Sequence, residues 1–176
     1  MILSRRERRK DMKSVRDVIM ERRSVRSYFE DKVTKEEMQC LLEAGNWAPT
    51  GRNVQNLFFV GILNPVVLSK VKELLGGGKE FYDAPALILV MEREEDHLST
   101  QNASAAMENM MLQATELGLG SCWIHCVVSR LNDRKNELMD ILSLPEEMTV
   151  LETLVVGKAK EVPQPKKRNE RNIQIL

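Results

Sequence analysis

An arginine-rich segment near the N-terminus carries the side chains best suited to holding an anion. Its members are Arg22, Arg23, Ser24 and Arg26. Each guanidinium presents a fixed fork of donors that matches a phosphate or a planar carbonyl edge. Because alternate residues of an extended chain point to opposite sides, we expect Arg22, Ser24 and Arg26 to share one face. That face could hold one end of a long anionic ligand, and the alternative is a solvated basic turn.

Three further segments have compositions that suit contact with a ligand. A polar loop before an apolar strand contains Pro49, Thr50, Gly51 and Asn53. Farther along, the chain passes through Gly118 and Gly120 into a strand whose backbone amides could face a ligand. The C-terminal segment places Lys166 and Arg168 beside prolines. The sequence therefore offers four separated candidates for ligand contact.

Two further patterns suggest other chemistry, a phosphate-binding loop and a nucleophilic cysteine, but the sequence supports each of them less. The run Gly76–Lys79 follows a helix, and Glu80 stands where a phosphate-binding loop needs serine or threonine, so we interpret it as a helix stop. Cys122 and Cys126 share one face of a predicted strand near His125. A Cys–His nucleophilic pair stays open beside the alternative of core cysteines, although no third, orienting residue is evident.

The composition limits the class of protein. With 176 residues, 43% of them hydrophobic and 30% charged, the chain is expected to form one globular domain, or one domain with an arm. The formal net charge is zero, so no overall field favours nucleic acid or membrane. No apolar run reaches about 18 residues and no secretory signal is expected. Three cysteines and two histidines predict neither a disulfide framework nor a metal site, and indicate a cytoplasmic protein.

The spacing of apolar residues predicts the main helices. Ser14 with Asp17, and Thr34 with Glu37, form capping boxes that begin two of them. The strongest helical stripe consists of Ala103, Ala106, Met107, Met110, Met111, Ala114 and Leu117. Its small and flexible side chains over about four turns predict a helix at the centre of the fold.

Apolar runs predict strands at residues 57–62, 86–91, 121–128 and 149–156. A further helix is predicted over roughly 133–143, capped by Asn132. Because helices separate the strands, we predict an α+β fold with a mixed sheet of four or five strands flanked by helices. We divide the chain into a basic arm (1–13), a ligand-binding domain (14–160) and an extended tail (161–176) that contributes to the same site.

Taken in order, the four segments resemble motifs of the nitroreductase family of FMN-dependent oxidoreductases. The matching stretches are Arg-Arg-Ser-Val-Arg-Ser-Tyr (22–28), Ala-Pro-Thr-Gly-Arg-Asn-Val-Gln (48–55), Gly-Leu-Gly-Ser-Cys-Trp-Ile (118–124) and Pro-Lys-Lys-Arg (165–168). Each motif is weak alone, but all four occur in order at compatible spacing. The resemblance extends from Val15 to Arg168 and implies a flavin-binding, nitroreductase-like domain.

The resemblance also implies a role for each matching residue. The ribityl phosphate end of FMN would meet Arg22 and Ser24, with Arg23 nearby, and Arg26 would lie near N1 and the C2 carbonyl of the ring. Further phosphate contacts would come from Lys166 and Arg168. The backbone around Ile124, His125 and Cys126 would lie beside N5 and the C4 carbonyl. The loop residues Pro49, Thr50, Gly51 and Asn53 would reach a flavin held mainly by the partner subunit of a homodimer.

This sequence departs from the family pattern in four places. Asn56-Leu57 stands where the family has Pro-Trp, and no asparagine that would contact the flavin is evident among Gly76–Glu80. His125 and Cys126 replace smaller or acidic residues. The segment between the predicted strand 86–91 and the central helix is short, which predicts a small or missing lid over the substrate.

The function implied is that of an FMN-dependent NAD(P)H oxidoreductase. NADH or NADPH and an electron-poor acceptor, such as a nitro compound or a quinone, would use flavin N5 in turn by a ping-pong mechanism, so no catalytic side chain is needed. The alternatives are a same-fold flavoenzyme for dehalogenation or flavin fragmentation, and a flavin-binding sensor without turnover. The third alternative is that the basic arm binds nucleic acid. It is disfavoured because residues 1–13 contain no aromatic side chains.

Overall fold

The computed structural model describes residues 13–94, 96–144, 148–169 and 172–175. Its strands are β1 (Leu57–Ile62), β2 (Ala86–Glu92), β3 (Gly120–Trp123) and β4 (Thr149–Gly157). Its α-helices are α1 (Val15–Glu21), α2 (Lys35–Asn46), α3 (Pro65–Leu74), α4 (Ser99–Glu116), α5 (Val128–Asp133) and α6 (Lys135–Leu142). Short 3₁₀ turns occupy Gly51–Asn53, Lys79–Phe81 and His125–Val127.

The four strands form one sheet in the order β1-β2-β4-β3. All three pairings are antiparallel, and one irregularity in register falls between Val90 and Met91 where β2 meets β4. Every residue of β2 is buried. A central strand that is buried along its whole length and apolar from Ala86 to Met91 indicates a sheet covered on both faces. The fold is therefore of the predicted α+β class, with helices on both sides of a four-stranded sheet.

The two faces of the sheet carry two separate hydrophobic clusters. Alternate β2 residues divide between them: Leu87 and Leu89 pack on the side of α3, α5 and α6, whereas Ile88 and Val90 pack on the side of α2 and α4. This division follows from the period of two in side-chain direction along a strand. On the second face, α2 packs against β1 while α4 packs against β3 and β4, and the two helices contact each other.

The two predicted capping boxes and the predicted apolar stripe of α4 are confirmed. Both capping boxes form, with Asp17 backbone N donating to Ser14 Oγ and Glu37 N donating to Thr34 Oγ1. All members of the α4 stripe are buried except Leu117, which is partly buried. Where α2 crosses α4, a Cβ on Gly45 would lie 3.0 Å from Met110 Sδ, so glycine permits this close approach.

Two predicted elements differ in the structure. The predicted strand 121–128 is wrong beyond Trp123, because Ile124 N still donates to Thr153 O at 2.9 Å but the chain then turns at His125–Val127. The predicted helix 133–143 corresponds to α6 (Lys135–Leu142), and a separate helix that was not predicted, α5 (Val128–Asp133), precedes it and meets it at Arg134. Asn132 does not cap a helix: its side chain exchanges two hydrogen bonds of 2.9 Å with the backbone of Val150 in β4.

Of the three predicted parts of the chain, the arm (1–13) lies outside the described residues except for Lys13. The described part of the tail beyond residue 160 is exposed and forms no helix or strand, apart from one short turn near its end. Among the described residues, no helix combines the length and apolar character needed to cross a membrane.

Candidate functional site

The arginine segment is fixed on two sides as it leaves α1. Helix α1 ends at Arg22, whose backbone is extended (φ −50°, ψ 128°). Ser24 bridges Ser121 of β3 in parallel, and Val25 N donates to Ser121 O at 2.9 Å. On the other side, Tyr28 bridges Ala159 just after β4. The segment therefore lies across the end of the sheet, between β3 and the start of the tail.

Buried side chains anchor this segment. Val25 and Tyr28 point into the core, and the Tyr28 hydroxyl donates to Val25 O at 2.6 Å. Burial raises the pKa of Tyr28, so the hydroxyl keeps the proton that it donates. A Cβ on Gly120 would lie 2.9 Å from Val25 Cγ2, so glycine lets the segment pack closely on β3. With Val25 inward, Ser24 and Arg26 are held outward.

A cavity of about 640 Å³ opens beside this segment. It is lined by Ile19, Met20, Arg22, Arg23, Ser24, Arg26, Pro163, Gln164, Pro165, Lys166 and Arg168. Five of these side chains are cationic, and among the described residues that line the cavity none carries a carboxylate. We call this space the basic cavity. The predicted face of Arg22, Ser24 and Arg26 is thus present, and the tail brings Lys166 and Arg168 to it.

The three arginines have different surroundings. Arg22 Nε lies 3.7 Å from Glu108 Oε1 on α4. Arg23 Nη1 donates to the carbonyls of Met20 (2.6 Å) and Arg22 (2.8 Å), so part of this guanidinium serves to cap α1. Arg26 lies over the ring of Tyr82 at 5.9 Å, and hydrogen bonding with Tyr82 is the main cause that raises the pKa of Arg26. Arg26 is therefore a permanent cation at the edge of the basic cavity.

The residues after β3 lie on a turn and not in a strand. Ile124 is buried, whereas His125 and Cys126 are exposed. Cys122 and Cys126 therefore do not share a strand face as predicted, because the strand ends between them. Burial raises the pKa of the Cys122 thiol, and Arg26 and Arg22 only partly oppose this, which disfavours a reactive thiolate.

The polar loop at Pro49–Gln55 lies at a different place. Gly51 N donates to Asn102 Oδ1 at 2.8 Å near the start of α4, and Arg52 pairs with Asp96 at 2.9 Å. Thr50 Oγ1 accepts from Gln55 N at 3.1 Å, which closes the loop. Among the described residues that line the basic cavity, none comes from this loop, so Pro49, Thr50, Gly51 and Asn53 lie outside it.

The length of α4 separates this loop from the basic cavity. Arg23 also lines a neighbouring space of about 380 Å³, together with Thr115 and Gly118 near the end of α4. At about 1.5 Å per residue, α4 rises roughly 9 Å from Asn102 to Glu108, which Arg22 contacts, and roughly 20 Å from Asn102 to Thr115. Within one chain, the predicted site residues therefore form two groups, one at the start of α4 and one beside its second half.

Three residues near these groups were missed in the sequence. Glu152 is buried in β4 and contacts both Trp123 and His125. Asn102 is 3% exposed and holds the loop. Tyr82, at a left-handed position (φ 52°), contacts Arg26. Only Glu152 had a usable signal, since it is a charged residue within an apolar strand.

Within the described residues, no three His, Cys, Asp or Glu side chains come together as a possible metal site. All three cysteines are free thiols.

A comparison with protein families matches residues 19–158 to the Nitroreductase family. A curated relative from Archaeoglobus fulgidus, named "Putative NADH dehydrogenase/NAD(P)H nitroreductase", is 30% identical over 149 residues, which cover 82% of this chain and 84% of the relative. A second, "FMN reductase (NADPH)" of Bacillus subtilis, is 24% identical and covers 89% of this chain and 70% of its own length.

Solved structures give the same result. A nitroreductase with bound FMN from Bacteroides fragilis superposes with a TM-score of 0.81 at 25% identity, covering 93% of this chain and 99% of the other. A nitroreductase with bound FMN from Desulfitobacterium hafniense also has a TM-score of 0.81, at 20% identity, with 94% and 99% covered. The second likeness shows the fold alone.

Proposed function

The chain belongs to the nitroreductase family, and we propose that it is an FMN-dependent oxidoreductase that uses NADH or NADPH to reduce nitro compounds, quinones or similar electron-poor acceptors. The single observation that carries this proposal is the basic cavity. The cofactor comes from the names of relatives: the Bacteroides fragilis nitroreductase is solved with FMN bound, and a curated relative is an FMN reductase. The cavity is the support that this chain itself provides.

The donor set of the basic cavity fits the phosphate end of FMN. Five cationic side chains and the Ser24 hydroxyl converge from the two ends of the chain. Guanidinium and ammonium groups are the usual partners of a phosphate dianion, and the volume lies in the usual range of cofactor sites, about 300–1,000 Å³. Arg22, Ser24, Lys166 and Arg168 would hold the phosphate, because Arg23 already donates to backbone carbonyls.

The remaining predicted residues would orient the ring. β3 leads away from the basic cavity, and the backbone of Ile124, His125 and Cys126 follows it at the turn. When bound, FMN would take a hydride from NADH or NADPH and pass electrons to the acceptor in a second, ping-pong half-reaction. Arg26, as a fixed cation beside this path, would stabilise negative charge on the reduced ring.

We further propose that the protein works as a homodimer in the cytoplasm. The loop at Pro49–Asn53 lies at the start of α4, whereas the arginine segment of its own chain lies beside the second half of that helix. This arrangement suits contact of the loop with a flavin held by a second copy. Trp47, next to that loop, is 85% exposed. Ile19, Met20, Ile173 and Ile175 are further exposed apolar side chains. Unpartnered large apolar residues of this kind support an interface. Free thiols suit a reducing compartment.

Two measurements test the proposed function. The purified protein should bind FMN, with quenched flavin fluorescence and a raised melting temperature, in preference to FAD. It should then oxidise NADH or NADPH rapidly only when a quinone or nitro compound is added, which separates an enzyme from a flavin-binding sensor. Absence of quenching and of thermal stabilisation at saturating FMN would refute the proposal.

Arg26 and Arg22 are expected to affect different properties of the flavin. Arg26→Ala should lower the midpoint potential of bound FMN more than it weakens binding of the oxidised form, because its charge favours the reduced ring. Arg22→Ala should mainly weaken binding, since the phosphate charge does not change on reduction. Redox titration and FMN titration of both variants measure this. Equal shifts in potential would contradict the division of roles.

A further inference from the structure

A buried carboxylate holds an exposed histidine at the end of β3. Glu152 on β4 is 3% exposed, and its Oε2 accepts a hydrogen bond from Trp123 Nε1 at 2.5 Å. The same oxygen lies 2.9 Å from His125 Nδ1. The side chain of His125 is 71% exposed, so its other nitrogen, Nε2, faces outward. The three residues form a contact between neighbouring strand ends that the flavin site does not require.

The partners of Glu152 determine which ring nitrogen carries a proton. An ionised carboxylate only accepts hydrogen bonds, so the contact requires a proton on His125 Nδ1. Trp123 donates to the same oxygen and fixes the carboxylate in place. In the imidazolium form, Nδ1–H is therefore directed to Glu152 and Nε2–H remains free for another acceptor. In the neutral form, the Nε2 lone pair is the exposed group.

His125 lies on the turn that directly follows β3, the strand against which the arginine segment packs. Ser121 bridges Ser24, which lines the basic cavity. His125 follows four residues later, and an extended chain covers at most about 14 Å over that distance. Cys126 beside it is exposed, and Ile124 is buried, so the imidazole stands at an open surface. Under the proposed function, the flavin ring and the acceptor would lie beside this turn.

We propose that His125 is a catalytic general acid for the electron acceptor and that Glu152 is its positioning residue, an inference that rests on the proposed function. Reduction of a quinone to a hydroquinone takes a hydride and one proton. The hydride comes from NADH or NADPH by way of the flavin. The proton comes from His125: its Nε2–H bond breaks, an O–H bond forms on the quinone, and the neutral imidazole is reprotonated by water.

If His125 donates a proton, the acceptors whose reduction depends on His125 and Glu152 are those that must take up a proton. A quinone oxygen must gain a proton to leave as a hydroquinone, whereas ferricyanide takes one electron and no proton. The effect of His125 should therefore differ between these two acceptors with the same NADPH-reduced enzyme. Positioned general acids contribute about 10²- to 10⁴-fold to a rate.

The test compares FMN-loaded wild type with His125→Gln and Glu152→Gln. The ratio of quinone to ferricyanide reduction rates should fall about 10²-fold in His125→Gln. The matched control is His97→Gln, the other histidine of the chain, whose Nδ1 lies 3.5 Å from Asp96 Oδ1 and which should leave the ratio unchanged.

A second readout uses the flavin-free chain. Because the sequence has two histidines, the imidazole nitrogen spectrum of the untagged protein contains two sets of signals. At alkaline pH, His125 should show the proton on Nδ1, and Glu152→Gln should shift it toward Nε2. His125→Gln alters an exposed side chain and so should fold even if Glu152→Gln does not.

The outcomes separate this inference from the proposed function. Bound FMN with equal losses on both acceptors, or a proton on Nε2 of His125 in the wild type, would overturn the acid role and leave the oxidoreductase intact. Absence of FMN binding would overturn both, since no hydride would then reach the quinone.

Discussion

Replacing Lys166 and Arg168 together by glutamate is expected to weaken FMN binding by about 10³-fold, whereas replacing Lys167 is not. Lys166 and Arg168 line the basic cavity, and Lys167 between them does not. Two charge-assisted hydrogen bonds to a phosphate contribute about 4 kcal/mol together, which is about 10³-fold in affinity. Fluorescence titration with FMN measures the effect directly.

The control keeps the change in charge constant. Lys167→Glu combined with Lys70→Glu on α3 alters the net charge by the same amount as the double variant, and both side chains are exposed outside the basic cavity. General electrostatic attraction of FMN would weaken equally in the two double variants. Equal affinities would therefore contradict a phosphate site in this cavity, and a selective loss in Lys166→Glu/Arg168→Glu supports it.

The fold was predictable where local signals determine it. Ser14 and Thr34 cap their helices as predicted, because the capping box is a local exchange of hydrogen bonds. Strand β1 has the predicted bounds. Asn132 misled the prediction because asparagine also pairs with strand backbone, and its partner Val150 is distant in sequence. The last backbone contact of β3 with β4 is the hydrogen bond from Ile124 N to Thr153 O. The pattern of apolar residues within 121–128 contains no information on this distant partner, so it did not show where the strand ends.

The site was predictable to a similar degree. The alternation that places Arg22, Ser24 and Arg26 on one face requires only an extended backbone. The meeting of this segment with Lys166 and Arg168 was implied by resemblance, since no local rule joins residues at the two ends of a chain. The Glu152–His125 contact was not predicted, because it depends on the register in which Trp123 lies opposite Leu154. Whether each of these residues binds the flavin stays a prediction.

Two inactive variants are expected to restore activity when their subunits are mixed. One variant carries Arg22→Glu and Arg26→Glu, which places carboxylates in the basic cavity. The other carries Thr50→Glu and Asn53→Glu in the loop held by Asn102. Each homodimer lacks a working flavin site, because each site would take its basic cavity from one subunit and its loop from the other.

The mixed dimer differs because of its two-fold symmetry. Its two sites exchange roles between subunits, so one site receives both defects and the other receives neither. Random exchange of equal amounts makes half of the dimers mixed, and therefore restores about a quarter of the wild-type sites. Activity and bound FMN should both approach that fraction after exchange, while either variant alone stays inactive.

The geometry of α4 makes this result diagnostic. If one chain held its flavin alone, the loop would have to reach a cavity whose arginines lie roughly 9 to 20 Å farther along the helix, against the hydrogen bond from Gly51 to Asn102 that fixes it. Mixing would then restore nothing, because every chain would retain its own defect. A monomeric mass with FMN fully bound would contradict the shared site in the same way. Recovery near a quarter is explained only by sites built from two copies of this chain.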